Sequence, residues 1–128
     1  MGLCVESYAD EPETAELGSV HWMARELGDK WSLPILSRLS TGPLRFLQLK
    51  RALGPVSQRM LTRTLKKLEQ LGLVSRTPHL GPSLQVTYEL TRSGQTLYHA
   101  VRLLNTWLAK HELAPQENVI LEDAIVSR

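Results

Sequence analysis

Gln58, Arg59, Thr62, Arg63 and Lys66 recur at i, i+1, i+4, i+5 and i+8. That spacing brings them to one side of an α-helix. All can donate hydrogen bonds and none is acidic. Arginine suits guanine O6/N7 and glutamine suits adenine N6/N7, each as a bidentate pair. The chemistry on offer is therefore recognition of base edges by Gln58, Arg59, Thr62 and Arg63, with Lys66 on a phosphate. Met60, Leu61, Leu65, Leu68 and Leu71 form the opposite, buried side, with Thr64 at its margin. Ser57 stands ready as N-cap, and the free N–H groups of a helix start would also let it hold phosphate. Val56 and Leu61 are spaced as a hydrophobic staple. Glu69, the lone acid of the stretch, lies near the far end, and Lys67 falls off the donor side and reads as solvated.

Charge along the chain sharpens this. Net charge is only +2. Residues 1–29 nevertheless carry seven acids and one base, and residues 30–76 carry ten bases and one acid. So basic a segment in a near-neutral chain is an electrostatic footprint, against the alternative of separate solvated faces. Arg45, Lys50 and Arg51 are candidates for backbone phosphates upstream of the donor helix. Arg76, His79 and Gln85 are candidates for a flanking groove downstream. For each taken singly, a solvated surface position is the competing reading.

These side chains need elements to position them. Val20, Met23, Ala24 and Leu27 predict a first helix over about 18–28 with that face inward. Trp22 points roughly the other way, toward a second subunit or toward local packing by the N-terminal arm. Trp31, Ile35 and Leu39, with Leu36 beside them, predict a second helix over about 31–40. Pro34 lacks an N–H and belongs in its first turn. "LRFLQLKRAL" predicts a third helix over about 44–53, with Phe46, Leu49 and Leu53 inward. "GPVS" breaks the chain before the donor helix, about 58–71, which Gly72 ends as a C′ residue.

Next, "LVSRTP" and "LQVTYELT" flank "HLGPS". Leu84, Val86, Tyr88 and Leu90 alternate with Gln85, Thr87 and Glu89, the period of a half-buried strand, so the pair reads as a hairpin. Thr91 caps a last helix over about 92–111. Its apolar positions are Leu97, Ala100, Val101, Leu103, Leu104, Trp107 and Leu108. They span about 160°, wider than one core-facing stripe requires. The surplus, on the Ala100, Leu103 and Trp107 side, suggests another subunit.

The expected fold is mainly α with a small β-hairpin: a winged helix-turn-helix with N- and C-terminal dimerisation helices. Residues 1–17 are an acidic arm whose composition disfavours order without a partner. Residues 18–111 form the domain. Residues 112–128, mixing charge with an apolar "VILEDAIV", are a C-terminal tail.

Other function classes find little support. The single cysteine, Cys4, can form no intrachain disulfide or zinc framework, and its neighbour Glu6 disfavours a reactive thiolate. No apolar run approaches the roughly 18–20 residues of a membrane span. The start, "MGLCVESYADEPETAE", lacks the pattern of a secretory signal, so a soluble, cytoplasmic protein without a cofactor is expected. His21, His79, His99 and His111 have no ligand-spaced partners; His99 and His111 paired across a dimer is the metal arrangement to test. Ser57 and Ser93 have no evident base, and "LGPVSQRM" is no phosphate loop, so no enzyme is expected. A winged-helix module that binds protein and not DNA is the alternative, but its exposed face should carry aromatic or aliphatic anchors.

"LGDKWSLPIL", "GPLRFLQLKRAL", "VSQRMLTRTLKKLEQLGLVSR" and "VTYELTRSG" resemble the HxlR-type winged helix-turn-helix transcriptional regulators. The likeness covers about residues 18–110. It rests on Lys30-Trp31, Arg45-Phe46, the Ser57–Leu61 helix start, Gly72-Leu73-Val74 and Tyr88–Thr91 in order and spacing. The resemblance implies a homodimer built through the first and last helices, bound to an inverted-repeat operator in double-stranded DNA. Many members carry a cysteine about twelve residues before the Lys-Trp pair, used in some to sense oxidants. Gly18 stands there in this chain, so a thiol switch of that type is not expected. A small-molecule effector is a further candidate partner, between the wings and dimer helices where Trp22, Trp31 and Trp107 could cluster. Core and interface packing is the competing account of those tryptophans.

Overall fold

The computed structural model describes residues 17–83 and 85–113. Most of the acidic arm with Cys4, position 84, and the tail beyond residue 113 lie outside the described residues. In chain order the elements are α1 (Gly18–Leu27), α2 (Ser32–Leu39), β1 (Leu44–Arg45), α3 (Phe46–Leu53), α4 (Gln58–Gln70), β2 (Val74–His79), β3 (Gln85–Leu90) and α5 (Arg92–Lys110).

The core is aliphatic and drawn from α2, α3, α4 and the strands. Ile35, Leu36, Leu49, Leu61, Leu65, Leu68 and Val74 are fully buried, and Leu27, Trp31, Leu39, Leu53, Val56, Leu73 and Leu90 complete the cluster. The leucine stripe of α4 thus packs on α2 and β2, which is what holds its other side outward.

Two expectations need correction. Leu44 and Arg45 are not helical. They form a short strand that pairs antiparallel with β3, Leu44 opposite Tyr88 and Arg45 opposite Thr87. The sheet therefore has three strands, in the order β1-β3-β2. Phe46, the first residue of α3, stacks at a tilt on Tyr88, with ring centroids 6.5 Å apart. In α1 the inward face is narrower than its periodicity implies. Leu27 is buried and Met23 packs against the core, but Val20 and Ala24 are exposed. Trp22 is half-buried rather than exposed.

Local signals set the boundaries. Ser57 accepts the Met60 N–H at 3.0 Å as N-cap of α4. Val56 and Leu61, the expected staple pair, are both buried. Gly72, just past the helix, adopts φ +79°, a left-handed conformation that a Cβ disfavours. Thr91 caps α5 by accepting the Gly94 N–H at 3.0 Å and donates to the Gly72 carbonyl at 2.6 Å. Its own N–H reaches the Leu73 carbonyl at 3.0 Å. These bonds weld the root of α5 to the end of α4. Gly94 sits so close that a Cβ there would lie 2.1 Å from the Leu73 carbonyl oxygen. Tyr98 then ties α5 to α2, donating to Ser37 Oγ at 3.0 Å.

Candidate nucleic-acid interface

Gln58, Arg59, Thr62, Arg63 and Lys66 are all exposed on α4. At about 1.5 Å rise per residue they span roughly 12 Å, comparable with the width of the B-DNA major groove. Arg59, Arg63 and Lys66 make no hydrogen bond or ion pair among the described residues, so their donors are available to an outside acceptor. Helical angle separates the five. Lys66 and Arg59 face away from the Leu61–Leu68 seam. Gln58 lies near the angle of Leu65 but is exposed at the first position of α4.

Met60 departs from the buried side assigned to it. It is 42% exposed, in the same first turn, which adds an apolar group to the entering end of the helix. Thr64 is buried, and its hydroxyl donates back to the Met60 carbonyl at 2.9 Å. Glu69 is exposed near the C-terminal end of α4.

The supporting cations occupy different surfaces. Arg45 is exposed on β1, next to the start of α3, where the Gln48 side-chain carbonyl accepts its N–H at 2.8 Å. Lys50 is half-buried and Arg51 exposed on α3. Arg76 pairs with Tyr88 across β2 and β3, whereas Arg45 pairs with Thr87. Side chains alternate between sheet faces, so Arg45 and Arg76 leave opposite faces of the wing. His79 Nε2 and Thr87 Oγ1 hydrogen-bond at 2.9 Å on the face that Arg45 shares. The wing tip carries Leu80, 96% exposed, and no acid or base from Leu80 to Ser83.

Lys67, read from sequence as solvated, is a structural cation. Its ammonium donates to the Glu26 carbonyl at 2.6 Å and forms an ion pair with Asp29. Asp29 Oδ1 in turn accepts the N–H groups of Trp31 at 3.2 Å and Ser32 at 2.8 Å, opening α2. Burial alone would raise the Asp29 pKa. Bonding to Lys67 and Ser32 outweighs it and holds the carboxyl below its ordinary value. An Asp three residues ahead of a helix start was a sequence signal for the cap. Nothing local linked it to a lysine 38 residues away.

On α5, Ala100, Leu103, Leu104 and Trp107 are exposed, while Leu97, Val101 and Leu108 are half-buried. Trp107 stacks on His111 with ring centroids 4.3 Å apart. His111 Nδ1 lies 2.9 Å from the Trp107 carbonyl oxygen, so that nitrogen carries the proton. Trp31 is buried in the core under the Lys30 ammonium, 5.6 Å from its ring. Among the described residues no ring contact joins Trp22, Trp31 and Trp107, and no histidine belongs to a cluster of three or more metal-ligand side chains. No helix there is long and apolar enough to cross a membrane.

Comparison with known proteins agrees with this geometry. A family model described as HxlR-like helix-turn-helix matches residues 26–116. A helix-turn-helix transcriptional regulator of Methanothermobacter thermautotrophicus is 37% identical over 91 residues, 71% of this chain and 70% of that protein. Among solved structures, a protein described as a MarR-family transcriptional regulator from Enterococcus faecalis V583 superposes with a TM-score of 0.71 at 33% identity. That match covers 73% of this chain and 86% of the other. The reduced form of the transcriptional regulator YodB from B. subtilis gives a TM-score of 0.66 at 30% identity, covering 70% and 88%. An exposed, unpaired donor face on the second helix of a helix-turn-helix, flanked by a β wing, is the equipment of a DNA-binding transcriptional regulator, and this chain belongs to the HxlR family of such regulators.

Proposed function

We propose that the protein acts as a homodimer on an inverted-repeat operator, one α4 in the major groove of each half-site. Gln58, Arg59, Thr62 and Arg63 read base edges. Arg45, Lys50, Ser57, Lys66 and Arg76 hold backbone phosphates. The dimer joins through Trp22 of α1 and Ala100, Leu103 and Trp107 of α5. The observation that carries this reading is the unpaired donor side of α4, held outward by a leucine stripe that is buried along its length. Phosphate contacts fix register and base contacts carry sequence, so the face divides its work between Lys66 and the Gln58–Arg63 group. Work on the chromosome implies cytoplasmic residence, and the reading requires no catalytic residue.

Support for the dimer is the opposite chemistry of α5. Leu103 and Trp107, 60% and 48% exposed, leave an apolar strip that a second copy would cover. Two-fold symmetry would set the two α4 helices about 34 Å apart, one turn of DNA. Selection of bound duplex from a random pool, at stated salt, tests this reading. A recovered motif with two-fold symmetry and half-sites one turn apart supports it. An asymmetric motif, or no enrichment, refutes it.

A further inference from the structure

We infer that Asp29 and Lys67 form a latch that fixes α4 to the end of α1 and so sets the half-site spacing the dimer accepts; this rests on the homodimer reading above. Lys67 lies on the recognition helix but points away from its donor face. Its ammonium caps the C-terminal end of α1 through the Glu26 carbonyl, one of the last four carbonyls that lack an intrahelical donor. A cation is favoured there by the helix dipole. The same ammonium pairs with the carboxylate that opens α2. One lysine thereby joins three helices at the Gly28–Lys30 turn.

That turn is where α1 meets the body of the domain. Leu27 is buried and Met23 packs on the core, but Leu17 and Val20 are 60% and 68% exposed. With Trp22 at a subunit contact, this joint is one path by which force from the partner on α1 reaches α4, beside the Thr91 bonds that tie α5 to the end of α4. A loosened joint would let α1 shift against α4 and so widen the range of spacings between the two α4 helices of the dimer. Inserting one base pair between half-sites moves them apart by about 3.4 Å and rotates them by roughly 35°, given 10–10.5 base pairs in a 34–36 Å turn. A latched dimer resists that change and an unlatched one follows it.

The test uses the selected operator duplex with its centre lengthened or shortened by one base pair, and a duplex carrying a single half-site. The full chain is compared with Lys67→Met and with Asp29→Asn, which keeps an amide oxygen for the Trp31 and Ser32 N–H groups. The native dimer should lose about tenfold or more in affinity on the altered spacings, and the variants about threefold or less, a ratio typical of coupling between sites. Half-site affinity should be unchanged in all three proteins, a result that separates spacing from base reading. If Lys67→Met does not fold, Asp29→Asn alone decides. A native spacing penalty that the folded variants retain in full overturns the latch. A native chain that light scattering finds monomeric, or that shows no spacing penalty, overturns the homodimer reading and the latch with it.

Discussion

Along α4 the uncovered side carries Gln58, Arg59, Thr62, Arg63 and Lys66; along α5 it carries Ala100, Leu103, Leu104 and Trp107. The covered side of α4 is aliphatic and buried in the core, whereas α5 reaches that core only through the half-buried Leu97 and Tyr98. The outer chemistry of the two helices differs as well. Unpaired cations and amides are satisfied by phosphates and base edges. Exposed leucine and tryptophan gain from leaving water against another apolar surface. One small domain thus presents two outer surfaces of opposite chemistry.

The comparison can be broken at several points. Gly94→Ala has the largest expected effect, because its Cβ would lie 2.1 Å from a backbone oxygen at the root of α5. A loss of about 3 kcal/mol or more is expected from such overpacking, read as a lowered midpoint in urea unfolding. Leu103→Glu comes next. A charge in the apolar strip should abolish the dimer, halving the mass seen by light scattering while the thermal melt of the fold persists. Unchanged mass would remove α5 from the interface.

On α4 the expected losses are smaller, and those at the arginines are specific to DNA. Arg59→Ala or Arg63→Ala should cost about 1–3 kcal/mol of operator affinity if either makes a bidentate base contact. Relaxed preference at one base position of each half-site, in a competition assay, would identify that base. Ser57→Ala should lower stability by about 1 kcal/mol through the lost cap to Met60, as seen in denaturant midpoints.

The smallest effect is on pH. The Asp29 pKa is lower folded than unfolded. Its contribution to stability is therefore complete above the unfolded value of about 3.9 and lost as pH falls through the folded value. Its side chain is 43% exposed, so solvent screens the pair and the contribution should stay under about 1 kcal/mol. Asp29→Asn should flatten acid unfolding by that amount between native and variant. Identical acid transitions would deny the pair any role in stability.

Much of this was legible in the sequence because it is local. Caps at Ser57 and Thr91, the turn at Gly72 and the 3.6-residue stripe of α4 each occupy a few neighbouring residues, so spacing alone placed them. What was missed depends on distant partners. Leu44 and Arg45 continue a helical pattern in the string, yet β3 captures them by pairing with Tyr88 and Thr87, far along the chain. Lys67 reads as a solvated residue off the donor side until Asp29 is brought beside it. Met60 directly precedes the fully buried Leu61, and the roughly 100° between neighbouring helical residues turns it to the margin of the leucine stripe. Val20 and Ala24 show the limit of periodicity in α1, where the pattern is helical but only Met23 and Leu27 of the expected face reach the core.

The central claim is that the free face of α4 meets a polyanion. Its most direct test is the salt dependence of binding to the selected operator, measured for the native protein and Lys66→Ala. If the dimer neutralises on the order of 8 phosphates, log K should fall against log salt with a slope of about −7. Lys66→Ala should make that slope shallower by about 2, one phosphate lost per half-site. A native slope near zero would contradict the account.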